Sequence, residues 1–417
     1  MNPVVSLLEN KLAELRTPMA VVLPNGDRIE SIDPRVTLKL SDLATLVHLA
    51  RGQIGRVAQD YVEGRLDFDG RLRDLMAVAA QMIDGDPTRP ENGLKPFEWW
   101  KGFTRRSKSL ARHTQGADAK QVQFHYDVSD DFYALWLDER RVYSCAYFRD
   151  PDLTLSKAQE AKLDHICRKL MLREGERFLD IGAGWGALLL WAAEHYGVHA
   201  KGITLSKNQH AHVNRVIDER GLRGRVTMEL LDYRDLNEDE GFDKIASIGM
   251  FEHVGIMQLP PYFSKIYRLL KPGGLLMNHG ITAGGTSNDQ LGAGMGDFIE
   301  RHIFPGGELM HVSHVLNVMA DAKLEALDIE CLRPHYARTL WAWSDALEAR
   351  LGRAREFTGE SIVRAYRLYL AGSAMCFEQG WLSLYQMLAA RPSGNVGDGA
   401  MRGAQSAYPF NRSYIYV

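Results

Sequence analysis

The stretch Arg177–Ala193, RFLDIGAGWGALLLWAA, decides the fold. A short run of strand composition leads into glycines at alternate positions, Gly182, Gly184 and Gly186, and then into an apolar segment of helical length. Glycines so placed let backbone N–H groups at a helix N-terminus approach a ligand closely. Working outward, strand-like segments recur at Val198–Ile203, Val226–Leu231, Phe242–Ile248 and Gly274–His279. Helical stretches separate them, beginning near Lys157, Ala187, Lys207 and Pro260. Such alternation predicts a parallel, doubly wound α/β sheet.

The glycine turn by itself is shared by nicotinamide, flavin and adenosylmethionine binders. Here Asp180 precedes the first glycine, whereas a dinucleotide site places its ribose-holding acid about 20 residues later. At that later point the chain reads KGITLS, and Thr204 offers a hydroxyl instead. The third strand ends in LLDYRDL, which can place Asp232, Tyr233 and Arg234 beside an adenine. The fifth is introduced by LLKPGG, similar to the turn of Class I methyltransferases. The expected fold is therefore a Class I S-adenosylmethionine-dependent methyltransferase, a Rossmann-like doubly wound sheet, with a small α+β/helical N-terminal domain.

That N-terminal domain is read over residues 1–95. Residues 19–40 alternate apolar and polar side chains around Asn25–Gly26, predicting two or three short strands. Ser41 to Ile83 has helical spacing. A basic aromatic linker helix is expected over 96–120, containing PFEWWKGFTRRSKSLARH. Its Phe97, Trp99, Trp100 and Phe103 precede Lys101, Arg105, Arg106, Lys108 and Arg112, the make-up of a helix lying on an anionic membrane surface. The same stretch also fits a connecting helix with its aromatics in the core. The catalytic domain is expected over 121–390, with apolar helical segments near 311–323 and 338–390. A loosely held tail is expected over 391–417.

Formal net charge is −3, so no global field draws the chain to nucleic acid, and none is expected as a partner. The four cysteines show no CxxC spacing, which argues against a zinc site or a disulfide framework and fits a cytoplasmic protein. The N-terminal residues lack a basic n-region and long apolar h-region. No run approaches the roughly 20 apolar residues that span a bilayer, so a lipid substrate would have to be met from outside the membrane.

Three segments carry a family resemblance: QFHYDVSDDFYALWLDERRVYSCAYF (123–148), SIGMFEHVG (247–255) and MNHGIT (277–282). With the glycine turn, they resemble bacterial cyclopropane fatty acid synthases and the mycolic acid cyclopropane synthases, over roughly residues 120–385. The resemblance implies transfer of a methylene from S-adenosylmethionine to the cis double bond of an unsaturated acyl chain in a membrane phospholipid. It also implies a homodimer, and peripheral association with the inner face of the membrane. An alkene is a weak nucleophile, so the sulfonium methyl must be aligned against its π-bond. Methyl transfer leaves a carbocation; ring closure then needs a base close to the new methyl and a pocket without water.

In the family a bicarbonate ion serves as that base. The matching positions are Cys145 in YSCAYF, Glu252 in MFEHVG, His279 with backbone of Ile281 in NHGIT, and Tyr336 in PHYARTLWAW. For the methyl donor they are Tyr143, Ser144, Asp180, Gly182, Gly184, Thr204, Gln209, Tyr233 and Arg234. Tyr143, Tyr147 and Phe251 are candidate aromatic faces for the cation. Taken singly, a cysteine is most often a small buried hydrophobe and a histidine a satisfied core residue. Two other functions fit the chain. One is a related lipid C-methyltransferase giving a methyl-branched or methylene product; the other is a lipid-binding protein on a degenerate methyltransferase fold.

Overall fold

The computed structural model describes residues 3–83, 86–88, 129–286, 291–395, 397, 409 and 411–416. The proposed linker helix at 96–120 and the opening of the HYDVSDDFY motif lie outside the described residues. The N-terminal unit runs α1 (Pro3–Glu14), β1 (Met19–Val22), β2 (Arg28–Glu30), β3 (Val36–Leu40), α2 (Leu43–Ala50), α3 (Ile54–Val62), β4 (Leu66–Gly70) and α4 (Leu72–Met82). Its sheet order is β2-β1-β3-β4, with β1 and β3 parallel and both outer strands antiparallel. Leu8, Met19, Val21, Leu38 and Leu46 form its core. The strands expected in 19–40 are present. The helical reading of 41–83 is corrected at β4: LDFDG has the period of a strand but is too short to stand out between two helices.

The larger unit continues α5 (Asp130–Ala134), α6 (Leu155–Lys169), β5 (Arg177–Ile181), α7 (Ala187–Tyr196), β6 (His199–Thr204), α8 (Lys207–Glu219), β7 (Val226–Leu230), β8 (Phe242–Ile248), α9 (Leu259–Leu269) and β9 (Leu270–Ala283). It ends with α10 (Met295–His302), α11 (Val312–Asp321), β10 (Glu325–Cys331), α12 (Arg333–Glu348), α13 (Leu351–Thr358), α14 (Glu360–Glu378) and β11 (Leu382–Ala390). The sheet order is β10-β11-β9-β8-β5-β6-β7. Strands β5 to β9 are parallel; β11 is antiparallel to both β9 and β10. Successive residues face opposite sides: Leu179, Ile181 and Ile245 pack with α9 and α11, while Phe178, Ala200 and Ala246 pack with α6, α7 and α8. Both faces are covered, so Leu275, Leu276 and Met277 of β9 are buried in succession. Two of the helix starts are set by caps: Thr154 accepts the Lys157 N–H and Ser206 the Gln209 N–H.

Two corrections fall at the C-terminal end. Residues 382–390, expected to be helical, form β11, and β10 was not anticipated. LSLYQMLAA is almost wholly buried, so it carries no alternation, and its leucine, methionine and alanine are helix formers. The tail is anchored at its described end, where Arg412 pairs with Asp328 and Ile415 is buried. No helix among the described residues is long and apolar enough to cross a membrane.

The two units meet through α3, α4 and α14. Arg364 on α14 donates to the carbonyls of Tyr61 and Leu66, and the Gly55 N–H donates to the Ala293 carbonyl over 2.8 Å. A Cβ on Gly55 would lie 2.0 Å from the Gly294 carbonyl oxygen, so this junction demands glycine. The glycine-rich segment after β9 thus backs onto the N-terminal unit, and its Gly292 N–H also donates to the Pro87 carbonyl.

Candidate active site

Strand β5 has β6 on one side and β8 on the other, so the connections diverge above its C-terminal end and open a crevice there. Gly182, Gly184 and Gly186 turn the chain at φ 75°, 56° and 80°, in the left-handed region that favours glycine. The cavity above them is lined by Tyr143, Ser144, Asp180, Gly182, Gly184, Thr204, Gln209 and Tyr233. Thr204 and Gln209 are joined by a 2.8 Å hydrogen bond, which leaves the buried Gln209 amide nitrogen without a protein partner. Burial pushes the Asp180 carboxyl up to about 7. Arg234, together with Asp232, is the exception among the expected residues. Its guanidinium folds back as a bidentate pair on Asp232, at 2.8 and 2.6 Å, and it does not line the cavity.

Lys162 was missed by the sequence reading. It lies on the inward face of α6, is 2 % exposed, and donates to the Ser144 hydroxyl over 2.9 Å. Burial lowers its pKa to about 8, against the partial support of nearby acidic groups. The available signal was a lysine in step with Ala158 and Ile166 on an apolar helical stripe.

A second cavity adjoins the first, sharing Tyr143, Ser144, Gly249, His253 and Phe304 in its walls. It brings together Cys145, Glu252, His279, Ile281 and Tyr336, which come from four separate segments of the chain, His279 and Ile281 both lying on β9. Glu252 accepts the Ile281 N–H at 2.7 Å through Oε1, while its buried Oε2 has no protein partner. The Ile281 amide therefore holds the carboxylate in place. Gly280 makes room for it: a Cβ there would meet the Phe251 ring at 2.3 Å and Glu252 Oε1 at 2.8 Å. Burial raises the Glu252 carboxyl to about 7, opposed by the Ile281 N–H. Burial likewise drives the His279 pKa well below its ordinary value, so the ring is neutral, and neither of its nitrogens has a protein partner.

The Cys145 thiol is pushed up strongly by burial and donates to the Ala146 carbonyl, so it is a neutral group and not a nucleophile. Of the three aromatic candidates only Tyr143 faces this cavity. Tyr147 is stacked between His165 and His335, with ring centroids 4.1 and 4.9 Å away, and Phe251 is fully buried beneath Gly280. Tyr369, Phe377 and Trp381 stand in the cavity wall instead. Tyr143 and Tyr369 are linked by their hydroxyls over 3.1 Å.

Buried polar atoms without a protein partner call for an explanation, a catalytic role or a bound water or ion among them. Glu252 Oε2 and the His279 nitrogens line one cavity, and supply an acceptor and a donor without any fixed charge besides the carboxyl. That set fits a small oxyanion carrying its own proton. Around it the walls are aromatic and aliphatic, the lining an acyl chain requires.

A glycine-turn crevice at the switch point of this sheet is that of a Class I S-adenosylmethionine-dependent methyltransferase, as the sequence predicts. Residues 113–387 match the mycolic acid cyclopropane synthetase family, and the chain belongs to it. The chain is 41% identical over 387 residues to a probable fatty acid methyltransferase of Pseudomonas putida, covering 91% of this chain and 94% of the relative. It is 39% identical over 274 residues to cyclopropane mycolic acid synthase 1 of Mycobacterium tuberculosis, covering 64% of this chain and 94% of the relative. Among solved structures, the mycolic acid cyclopropane synthase CmaA1 complexed with SAH and CTAB has a TM-score of 0.62 and 37% identity, covering 65% of this chain and 98% of that one.

Proposed function

We propose that this protein is a cyclopropane fatty acid synthase acting on cis-unsaturated acyl chains of membrane phospholipids. The observation that carries the reading is the unpartnered Glu252 Oε2 and His279 ring nitrogens in an aromatic-walled cavity next to the methyl-donor crevice. The alkene π-pair attacks the sulfonium methyl; a C–C bond forms, the C–S bond breaks, and sulfur keeps its electrons. The adjacent carbon becomes a cation, facing Tyr143 and Tyr369. Loss of a proton from the new methyl supplies the pair that closes the ring. Bicarbonate bound against Glu252 and His279 would supply the base for that step. His279, neutral, would donate a hydrogen bond to it, and Glu252, held by the Ile281 amide, would accept one from the ion's O–H. The aromatic and aliphatic walls exclude water, which would otherwise trap the cation as an alcohol. A bilayer substrate means that the enzyme works peripherally on the membrane, and the family resemblance extends the proposal to a homodimer.

A related reading, methylation without ring closure, is favoured by the name of the Pseudomonas putida relative, a probable fatty acid methyltransferase. Labelled S-adenosylmethionine and vesicles of a monounsaturated phospholipid separate the two. Gain of one methylene with loss of the olefinic protons is expected. A branched product, or one that keeps its olefinic signal, would overturn ring closure.

A further inference from the structure

A third cavity, of about 130 Å³, lies between the N-terminal unit and α14. Leu38, Ala58, Met76, Ala79 and Met82 line it from one side, and Gly372 and Met375 from the other. It shares Leu291, Ile299, Ser373 and Leu382 with the cavity that holds Glu252 and His279. Its walls are almost wholly apolar, so a water there would find few hydrogen-bond partners. The Tyr61 hydroxyl in its wall is engaged by Arg367. An unfilled apolar space in a packed interior weakens a fold unless something occupies it.

We propose that this cavity receives the methyl-terminal end of the substrate's acyl chain. The proposal rests on the reading of the enzyme as one that alkylates an acyl double bond. A phospholipid headgroup cannot enter a chamber with so little polar lining, so the end that does is the hydrocarbon terminus. With the double bond held at Glu252 and His279, the part of the chain beyond it runs past Leu291 and Ser373 into the N-terminal unit. That unit lies outside residues 113–387, the part matched by the family. It therefore sets how long a tail beyond the double bond this enzyme accepts.

The test uses the full-length enzyme and phosphatidylglycerol vesicles whose double bond is at one distance from the carboxyl, with either a short or a long tail beyond it. Gly372→Leu and Ala79→Phe fill the third cavity, and neither residue lines the reaction cavity. They are expected to lower the long-to-short ratio of turnover by roughly tenfold or more, the scale on which a hydrophobic pocket rejects one misfit methylene. Met76→Ala should raise it. An unchanged ratio in both filled variants, at whatever overall activity, overturns the proposal. A phospholipid with a photoreactive diazirine at its methyl terminus gives a readout that needs no turnover. Labelling within residues 43–82 and 368–376 is expected; labelling confined to peptides of the reaction cavity refutes the tail site. Parent enzyme that alkylates neither chain, yet is labelled in those peptides, would refute the proposed reaction and leave the tail site standing.

Discussion

Glu252 concentrates the chemistry into one carboxyl group. Its pKa of about 7 means that it is protonated below that value and ionised above, because burial penalises the charge more than the Ile281 amide relieves it. Turnover at saturating methyl donor should therefore rise with pH through about 7 and then level off, since the ionised form is the acceptor the base-holding role needs. Glu252→Gln is expected to lose about a hundredfold or more in turnover and all of that rise. Calorimetry should find its S-adenosylhomocysteine affinity unchanged; a variant with parental rates would remove Glu252 from the mechanism. Lys162 makes a different prediction. Its folded pKa of about 8 lies below the ordinary 10.5, so the folded state carries a penalty that is full below about 8 and disappears as pH rises toward 10.5. At neutral pH that penalty is about 3 kcal/mol. Lys162→Met should melt at a higher temperature than the parent, with the gap shrinking in alkaline buffer, and should bind the methyl donor more weakly because Ser144 loses its donor. A gap that does not vary with pH would count against the buried charge as its cause.

Among the elements, β9 and the segment after it do more than fill the sheet. Gly280 on β9 is the space that Glu252 occupies, so Gly280→Ala should abolish most turnover by displacing the carboxylate, while donor binding persists. Isothermal titration with S-adenosylhomocysteine beside a methyl-transfer assay checks both halves. Gly55→Ala, at the start of α3, acts where the N-terminal unit touches the glycine-rich segment. The added carbon would sit 2.0 Å from the Gly294 carbonyl, and the backbones must separate. A loss of stability of about 1–3 kcal/mol is expected in denaturant titration. The glycines of AGGTSNDQLGAGMG (283–296) follow β9. Their reason is contact with partners far away in the chain, such as Gly55 and Thr88, which no local pattern announces.

For the molecule as a whole, the proposed meeting with a membrane is argued from the basic side chains within 96–120, since no helix among the described residues is long and apolar enough to cross a bilayer. Replacing Arg105, Arg106 and Lys108 by glutamate should weaken binding to anionic vesicles, at about 1 kcal/mol for each basic side chain removed from the surface. Vesicle sedimentation measures it; undiminished binding would favour the connecting-helix reading of 96–120.

The β5–Gly182–α7 unit and the parallel strands were legible in the sequence, because each depends on local periodicity or a turn; Thr204 and Tyr233 were read from strand ends and Gln209 from resemblance, and all three line the crevice. Glu252, His279 and Cys145 were legible only through motif resemblance; nothing local distinguishes them from buried residues in general. Strand β11 was not legible, since a doubly buried run of leucine, methionine and alanine has no period to read. Arg234 was expected at the adenine and turns instead to Asp232, two residues away, a choice made by side-chain geometry. Lys162 acquires its role from burial against Ser144, and Ile281 its role from lying within reach of Glu252. The glycine turn thus places a ligand crevice at the end of β5 through short-range backbone constraints, and the motifs on the later strands narrow its cofactor to S-adenosylmethionine. The joining of that site to a reaction cavity, and of the reaction cavity to an apolar chamber under the N-terminal unit, was decided by packing between segments hundreds of residues apart, which only the tertiary structure records.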